Sequence, residues 1–376
     1  MKRRLFQFFM AFYLYKKRHP KRVMTFLVFI VVPLATGLIL GYEMSSNVAT
    51  AIPTVVVDHD HSDFSRSVIE YVDQSNYFNV VEEAQNDERV EAALYDRAAY
   101  VGLIIPENFY SDMREGKAPK ILTVYDGSSL AVISSSKSAM SEILLTLKAG
   151  YMIKVYEGKM SIAPASVRNH AVPIDATYRL LFNPTRNFRN FILPGMLAAL
   201  IQVGIACMGA ERASETRGKG LAFSEHLMII LKWGSLGAVS IALTLTEQYL
   251  LFDMPYRGTI LGGTAMTVLF SCVVFSIGYL AGSILSDRMF ASQVAAVIVL
   301  PSTILGGYTW PVLAMPPFFQ AFARIIPFYY YGNTIRDLCL KELAFRHILP
   351  DLQILVIFGV VLIALLYLIK RKEVQA

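Results

Sequence analysis

The stretch VMTFLVFIVVPLATGLILG, Val23 to Gly41, carries no charged side chain at any position. A helix needs about 20 mostly apolar residues to cross the hydrocarbon core of a bilayer, so this run has the length of one span. Pro33 does not oppose that reading, because neighbouring helices can satisfy the carbonyl that a proline frees. Ahead of it stands MKRRLFQFFMAFYLYKKRHPKR, whose apolar part, Leu5 to Tyr15, is too short to span. A secretory leader is the rival reading, but Lys16, Lys17 and Arg18 follow where a small-residue cleavage site belongs. Residues 1–22 therefore read as a cytoplasmic or interfacial amphipathic helix lying along a membrane surface.

The rest of the chain follows the same logic. Of 376 residues, 55% are hydrophobic and 17% charged, whereas soluble domains carry about a quarter charged residues. Apolar runs recur at Phe191 to Ala210, Leu227 to Phe252, Thr259 to Leu285, Met289 to Tyr308 and Leu352 to Ile369, giving six spans in all. An even number puts both termini on one side. Basic residues choose that side: Lys2 to Arg22, the loop bearing Arg212, Arg217 and Lys219, Arg288, and Lys370 to Lys372 would all be cytoplasmic. The net charge of +6 is explained by these flanks without invoking nucleic acid. The expected fold is an α-helical membrane protein with six transmembrane helices plus an inserted extracytoplasmic α/β domain. Its parts are a first span at 23–41, the inserted domain at 42–186, and five helices in 187–376. Those five enclose a cytoplasmic loop near 210–226. An outer re-entrant or surface segment near 306–349 is marked by the breakers Gly306, Gly307, Pro311 and Pro327.

Within the inserted region, strand-like runs (PTVVVD, YFNVVE, AAYVGLIIP, KILTVYDG) alternate with helical ones, the pattern of a sheet packed against helices. VVVDHDHSDFSRSVIEYV, Val55 to Val72, holds the densest polar cluster. Asp58, Asp60 and Ser62 match the opening of a calcium loop, but Asp63 stands where that loop needs glycine and Ile69 where it needs glutamate. A zinc site through His59 and His61 lacks a third ligand in the sequence. The structural reading has a strand ending at Asp58, Asp60 stabilising the turn and Ser62 capping the next helix. No metal is expected. Cys207, Cys272 and Cys339 have no paired spacing and read as packing residues.

Two charges fall inside apolar runs. Lys232 and Glu247 lie near opposite ends of the third span, where both can snorkel to the interface. With His226, they are also the residues an intramembrane enzyme would use. The chain has no Gly-x-x-x-x-Gly-Lys-Ser/Thr loop, nucleophile elbow or zinc-protease helix, and it reads as a non-catalytic membrane subunit.

Four segments in order resemble the type-2 ABC transporter permeases, in the multidrug and lipid exporter branch with a large domain after the first span. They are VVVDHDHSDFSRSVIEYV, VGLIIPENFYSDMREGKAPKILTVYDGSS, FNPTRNFRNFILPGMLAALIQ, and LPSTILGGYTWPVLAMPPFFQAFARIIPFYYYGNTIRD. The resemblance covers nearly the whole chain. It implies a permease subunit of an exporter in a bacterial inner membrane, moving a hydrophobic or amphipathic substrate out of the cytoplasm or inner leaflet. The partners it implies are a separate ABC ATPase that uses ATP and Mg, a second permease chain, identical or related, membrane lipids and a periplasmic membrane-fusion adaptor. No cofactor would be bound by this chain. The family docks its ATPase through an Arg-Glu-rich helix with a Gly-Thr pair in the first cytoplasmic loop. Here AERASETRGKGLAFSEH offers Glu211, Arg212, Glu215, Arg217 and Gly218 without that pair; a solvated loop that only sets topology is the alternative. Tyr308, Trp310, Phe328 and Tyr330 are the residues expected to line or close the outer end of the path. A membrane-anchored sensor with a ligand-binding outer domain is the rival function.

Overall fold

The computed structural model describes residues 20–45, 49–160 and 181–375, so the surface helix expected over Leu5 to Tyr15 lies outside the described residues. The chain divides into two compact units, Ser46–Leu180 and the remainder. Among the described residues of that remainder, six helices are long and apolar enough to cross a membrane. In order these spans are Arg22–Glu43, Phe188–Thr216, Phe223–Phe252, Ile260–Ile284, Arg288–Leu305 and Phe345–Arg371. The first contains a π-helical turn, Leu27–Val31, in which the Val32 N–H reaches back to Leu27 O. That wider turn sits directly before Pro33, where the ordinary ladder would lose a donor.

The second and fourth spans form the centre. In their apolar windows 67% and 61% of residues are buried, against 11% in the sixth span. Lipid offers helices no hydrophobic reason to associate, so close backbone packing must hold them together. Gly278 and Gly282, one turn apart on the fourth span, lie against the Ala206 and Ala210 carbonyls of the second, and Gly209 faces the Phe275 carbonyl in return. A Cβ at any of these three positions would strike backbone rather than a movable side chain.

Pro194 interrupts the second span, and a residue far along the chain repairs it. The Tyr308 hydroxyl accepts a hydrogen bond from Gly195 N–H (2.8 Å) and lies within donating distance of the carbonyls of Ile192 (2.9 Å) and Phe191 (3.2 Å). The ring lies where any side chain on Gly195 would be. The Leu-Pro-Gly break is thus filled by a tyrosine from beyond the fifth span.

Glu247 departs from expectation. It is only 8% exposed and faces Gly37 of the first span instead of snorkelling outward. Its neighbour Gln248 donates from Nε2 to Gly37 O at 2.8 Å. The missing side chain at Gly37 lets the third span come close enough to enclose both polar groups. Lys232 is exposed, and His226 is buried against Tyr279 with Nδ1 at 2.6 Å from the hydroxyl. His226 and Glu247 lie about 31 Å apart along their shared helix, at 1.5 Å per residue, so these three residues do not assemble a catalytic site.

After the fifth span, Gly307 turns the chain with a left-handed φ of 75°. Two helices follow, Pro317–Ala323 and Pro327–Leu340, of 7 and 14 residues, both shorter than a span.

The Ser46–Leu180 unit holds a small mixed sheet of four described strands, β1 (Ile52–Asp58), β2 (Phe78–Ala84), β3 (Val101–Ile105) and β4 (Leu122–Tyr125), in the order β2-β1-β3-β4. β1 is parallel to β2 and β3, and β4 runs antiparallel at the edge. Both faces of the centre are covered. Val56, Leu103 and Ile105 pack with Val68, Val72 and Met140, while Val55 and Val57 on the other face pack with Val90 and Ala93. Burial on both sides explains why β1 and β3 read as unbroken apolar runs. At the end of β1, Ser62 Oγ accepts from Ser65 N–H at 3.0 Å. The turn itself is held by Asp58, which accepts from Asp60 N–H, His61 N–H and the Ser65 hydroxyl. Asp60, expected to stabilise that turn, instead accepts from Tyr110 N–H, because its carboxylate points toward the short helix Phe109–Arg114. His59 pairs with Asp87 at 2.8 Å. Past β4, the N–H and hydroxyl of Ser128 hold the Asp126 carboxyl below its ordinary range.

Two outcomes follow. Gly278→Leu forces backbone apart and should cost about 3 kcal/mol or more, the upper end for overpacking. It will be read as loss of monodisperse protein, while Gly359→Ala, whose nearest neighbour would be Val273 at 3.8 Å, stays folded. Tyr308→Phe leaves the Gly195 N–H unpaired at a cost of about 1–3 kcal/mol. A lowered thermal midpoint checks this, and an unchanged one would mean that the helix break needs no repair.

Candidate functional site at the ends of the second span

The sequence ends the second span at Ala210, where hydropathy falls, but the helix continues through Thr216. Glu211, Arg212 and Glu215 therefore sit on a rigid helical end rather than in a loop. Short-range pairing keeps that polar turn helical. Arg212 donates to Glu215 at 2.6 Å, and its guanidinium lies 4.2 Å from the centre of the Trp233 ring on the third span. Glu211 pairs with Arg288 at the start of the fifth.

Arg217 does the most at this junction. Its Nη2 donates to the carbonyls of Gly282 (2.7 Å), Ser283 (3.3 Å) and Leu285. The last carbonyls of a helix have no partner within it and carry the negative end of its dipole, so a guanidinium there satisfies both the bonds and the charge. Close by, the Tyr279 hydroxyl meets Thr216 Oγ1 at 3.0 Å as well as His226. Four spans are thus tied together around the end of the second.

Of the five residues proposed from sequence for this end, the four charged ones turn inward to partners in this chain. Gly218 is exposed, with a left-handed φ of 72°, and begins the Gly218–Gly220 tip together with Lys219. Gly220 adopts φ 62°. Two left-handed residues around one lysine make a sharp turn that presents Lys219. Sequence reasoning missed Trp233 and Tyr279, whose only mark was an aromatic ring within an apolar run.

At the opposite end of the span, the four aromatic candidates separate. Tyr308 and Phe328 come together with ring centres 5.7 Å apart, and both are buried inside the bundle rather than on a lining surface. Arg336, which the sequence did not single out, stacks between Phe191 (4.6 Å) and Tyr308 (4.8 Å) and donates to Tyr308 O at 3.2 Å. Tyr330 bonds to Arg324 O and packs against Tyr329 and Phe358, and Trp310 is exposed. Among the described residues no group of three or more His, Cys, Asp or Glu side chains is placed to hold a metal ion.

Comparison with known proteins agrees with this architecture. Residues 22–368 match the family described as ABC-2 family transporter protein. The probable multidrug ABC transporter permease YbhS of Escherichia coli (strain K12) is 22% identical over 331 residues, covering 84% of each chain. The probable multidrug ABC transporter permease YbhR of the same strain is 18% identical over 323 residues, 83% of this chain and 84% of that one. ABC transporter G family member 20 of Dictyostelium discoideum is 26% identical over 197 residues, half of this chain but only 26% of that protein's length. With the match running from the first span to the sixth, this chain belongs to the ABC-2 family of transporter proteins and is a membrane subunit of that kind.

Proposed function

We propose that this permease works in an exporter, carrying a hydrophobic or amphipathic substrate out of the cytoplasm or inner leaflet of a bacterial inner membrane. A separate ATPase supplies the energy from ATP and Mg. Two permease chains, identical or related, enclose the path. Both termini are cytoplasmic and the Ser46–Leu180 unit lies outside, available to a periplasmic adaptor. The observation that carries this reading is the brace around Arg217. Because the second, third, fourth and fifth spans are joined at that end, a push on the Gly218–Gly220 tip moves them together instead of bending one loop.

In this reading the partner touches the exposed tip around Lys219, and Glu211, Arg212, Glu215 and Arg217 transmit the movement inward. Tyr308 and Phe328 stiffen the outer end of the path from behind, and Trp310 faces outward.

Orientation is tested in a variant with its native cysteines replaced by alanine. Asp126→Cys should react with a membrane-impermeant maleimide in intact cells, and Lys219→Cys only after permeabilisation; the reverse pattern sinks the assignment. The brace is tested with the co-purified ATPase. Lys219→Glu should reduce ATPase recovery at least tenfold. Arg217→Ala should leave recovery within twofold but cut substrate moved per ATP at least tenfold. Recovery abolished by Arg217→Ala and untouched by Lys219→Glu would instead make Arg217 a direct contact.

A further inference from the structure

The Ser46–Leu180 unit contains a concavity of about 1060 Å³ between the helices Asp63–Asp73, Phe109–Arg114 and Leu130–Met160. Binding sites for small molecules occupy roughly 300–1,000 Å³ and are lined mostly by apolar and aromatic groups. Here one wall is aromatic. Phe64 lies 5.7 Å from Tyr110 and 5.4 Å from Tyr151, centre to centre, and Tyr71 continues the wall with 58% of its surface exposed. Rings left open in this number in a cavity are costly to keep wet.

The charges lining the cavity are arranged by position. Arg114 closes the short helix one turn after Tyr110, with its guanidinium 6.0 Å from the centre of that ring, and Lys154 lies one turn after Tyr151 on the Leu130–Met160 helix; both cations line the cavity. Glu142 lines the cavity about 18 Å back along the helix from Lys154, at 1.5 Å per residue. Gly150 also lines the cavity, and among the described residues a side chain there would meet nothing within 4 Å. Glycine inside a helix destabilises it relative to alanine, and no close approach of another described element requires one at this point. Its effect is to leave the cavity open.

We infer that this cavity is a binding site for an amphipathic anion, with its ring or hydrocarbon body on Phe64, Tyr110 and Tyr151 and its acidic group between Arg114 and Lys154. Glu142 repels the acid at the other end and fixes the orientation. The site needs neither ATPase nor transport and is read by binding alone.

Dehydroabietate and dehydroabietylamine share one tricyclic body and differ in the sign of the head group. Equilibrium dialysis of each against the full-length permease in nanodiscs, with empty nanodiscs subtracted, should show saturable binding of the acid at least tenfold tighter than that of the amine. Gly150→Leu should raise the Kd of the acid at least tenfold by intruding on the cavity beside Tyr151. The exposed pair Arg114→Gln and Lys154→Gln should raise its Kd at least tenfold, with thermal midpoints no lower than the parent's in both variants. Equal binding of acid and amine, binding unchanged by Gly150→Leu, or no saturable binding of the acid overturns the assignment.

Discussion

The contact between the second and fourth spans is the constraint on which the rest depends. In a bilayer, leucine against lipid and leucine against leucine differ little, so helices stay together by fitting closely. Gly278 and Gly282 against the Ala206 and Ala210 carbonyls, and Gly209 against that of Phe275, let two backbones meet closer than any larger side chain would allow. The third, fifth and sixth spans then pack around that pair and keep broad apolar faces turned away from it.

The same two helices carry the polar chemistry of the bundle at their ends. At one end Arg217 of the chain leaving the second span closes the carbonyls at the end of the fourth. At the other end of the second span, Tyr308 closes the break made by Pro194, and Arg336 stacks on the Tyr308 ring. Between these anchors the pair is a stiff rod, since neither backbone can slide past the other without collision.

The Ser46–Leu180 unit follows different physics. Its centre is held by hydrophobic burial on both faces of β1 and β3, and its turns by side-chain oxygens accepting backbone N–H groups, as at Asp58 and Ser62. The apolar runs and the Ser62 cap were legible because each is set by neighbours within a few positions. Asp60 was misassigned because its partner, Tyr110, lies fifty residues away. Glu247 was misread for the same reason, since only the approach of Gly37 makes a buried carboxyl possible. At Glu211 to Thr216 hydropathy ended the span while the helix went on, because pairing across its surface and to the neighbouring spans does not register in an apolar count.

By itself the sequence determined six apolar helices and an interposed run of strands and helices, because span length and strand burial are written into consecutive residues. The family signature, too, is a matter of consecutive residues. Only the tertiary structure decided which polar groups meet. Arg217 with the end of the fourth span, Tyr308 with Gly195, and Phe64 with Tyr110 and Tyr151 are pairings between distant segments, and hydrogen bonds and ring contacts act over a few ångströms in space whatever the separation along the chain.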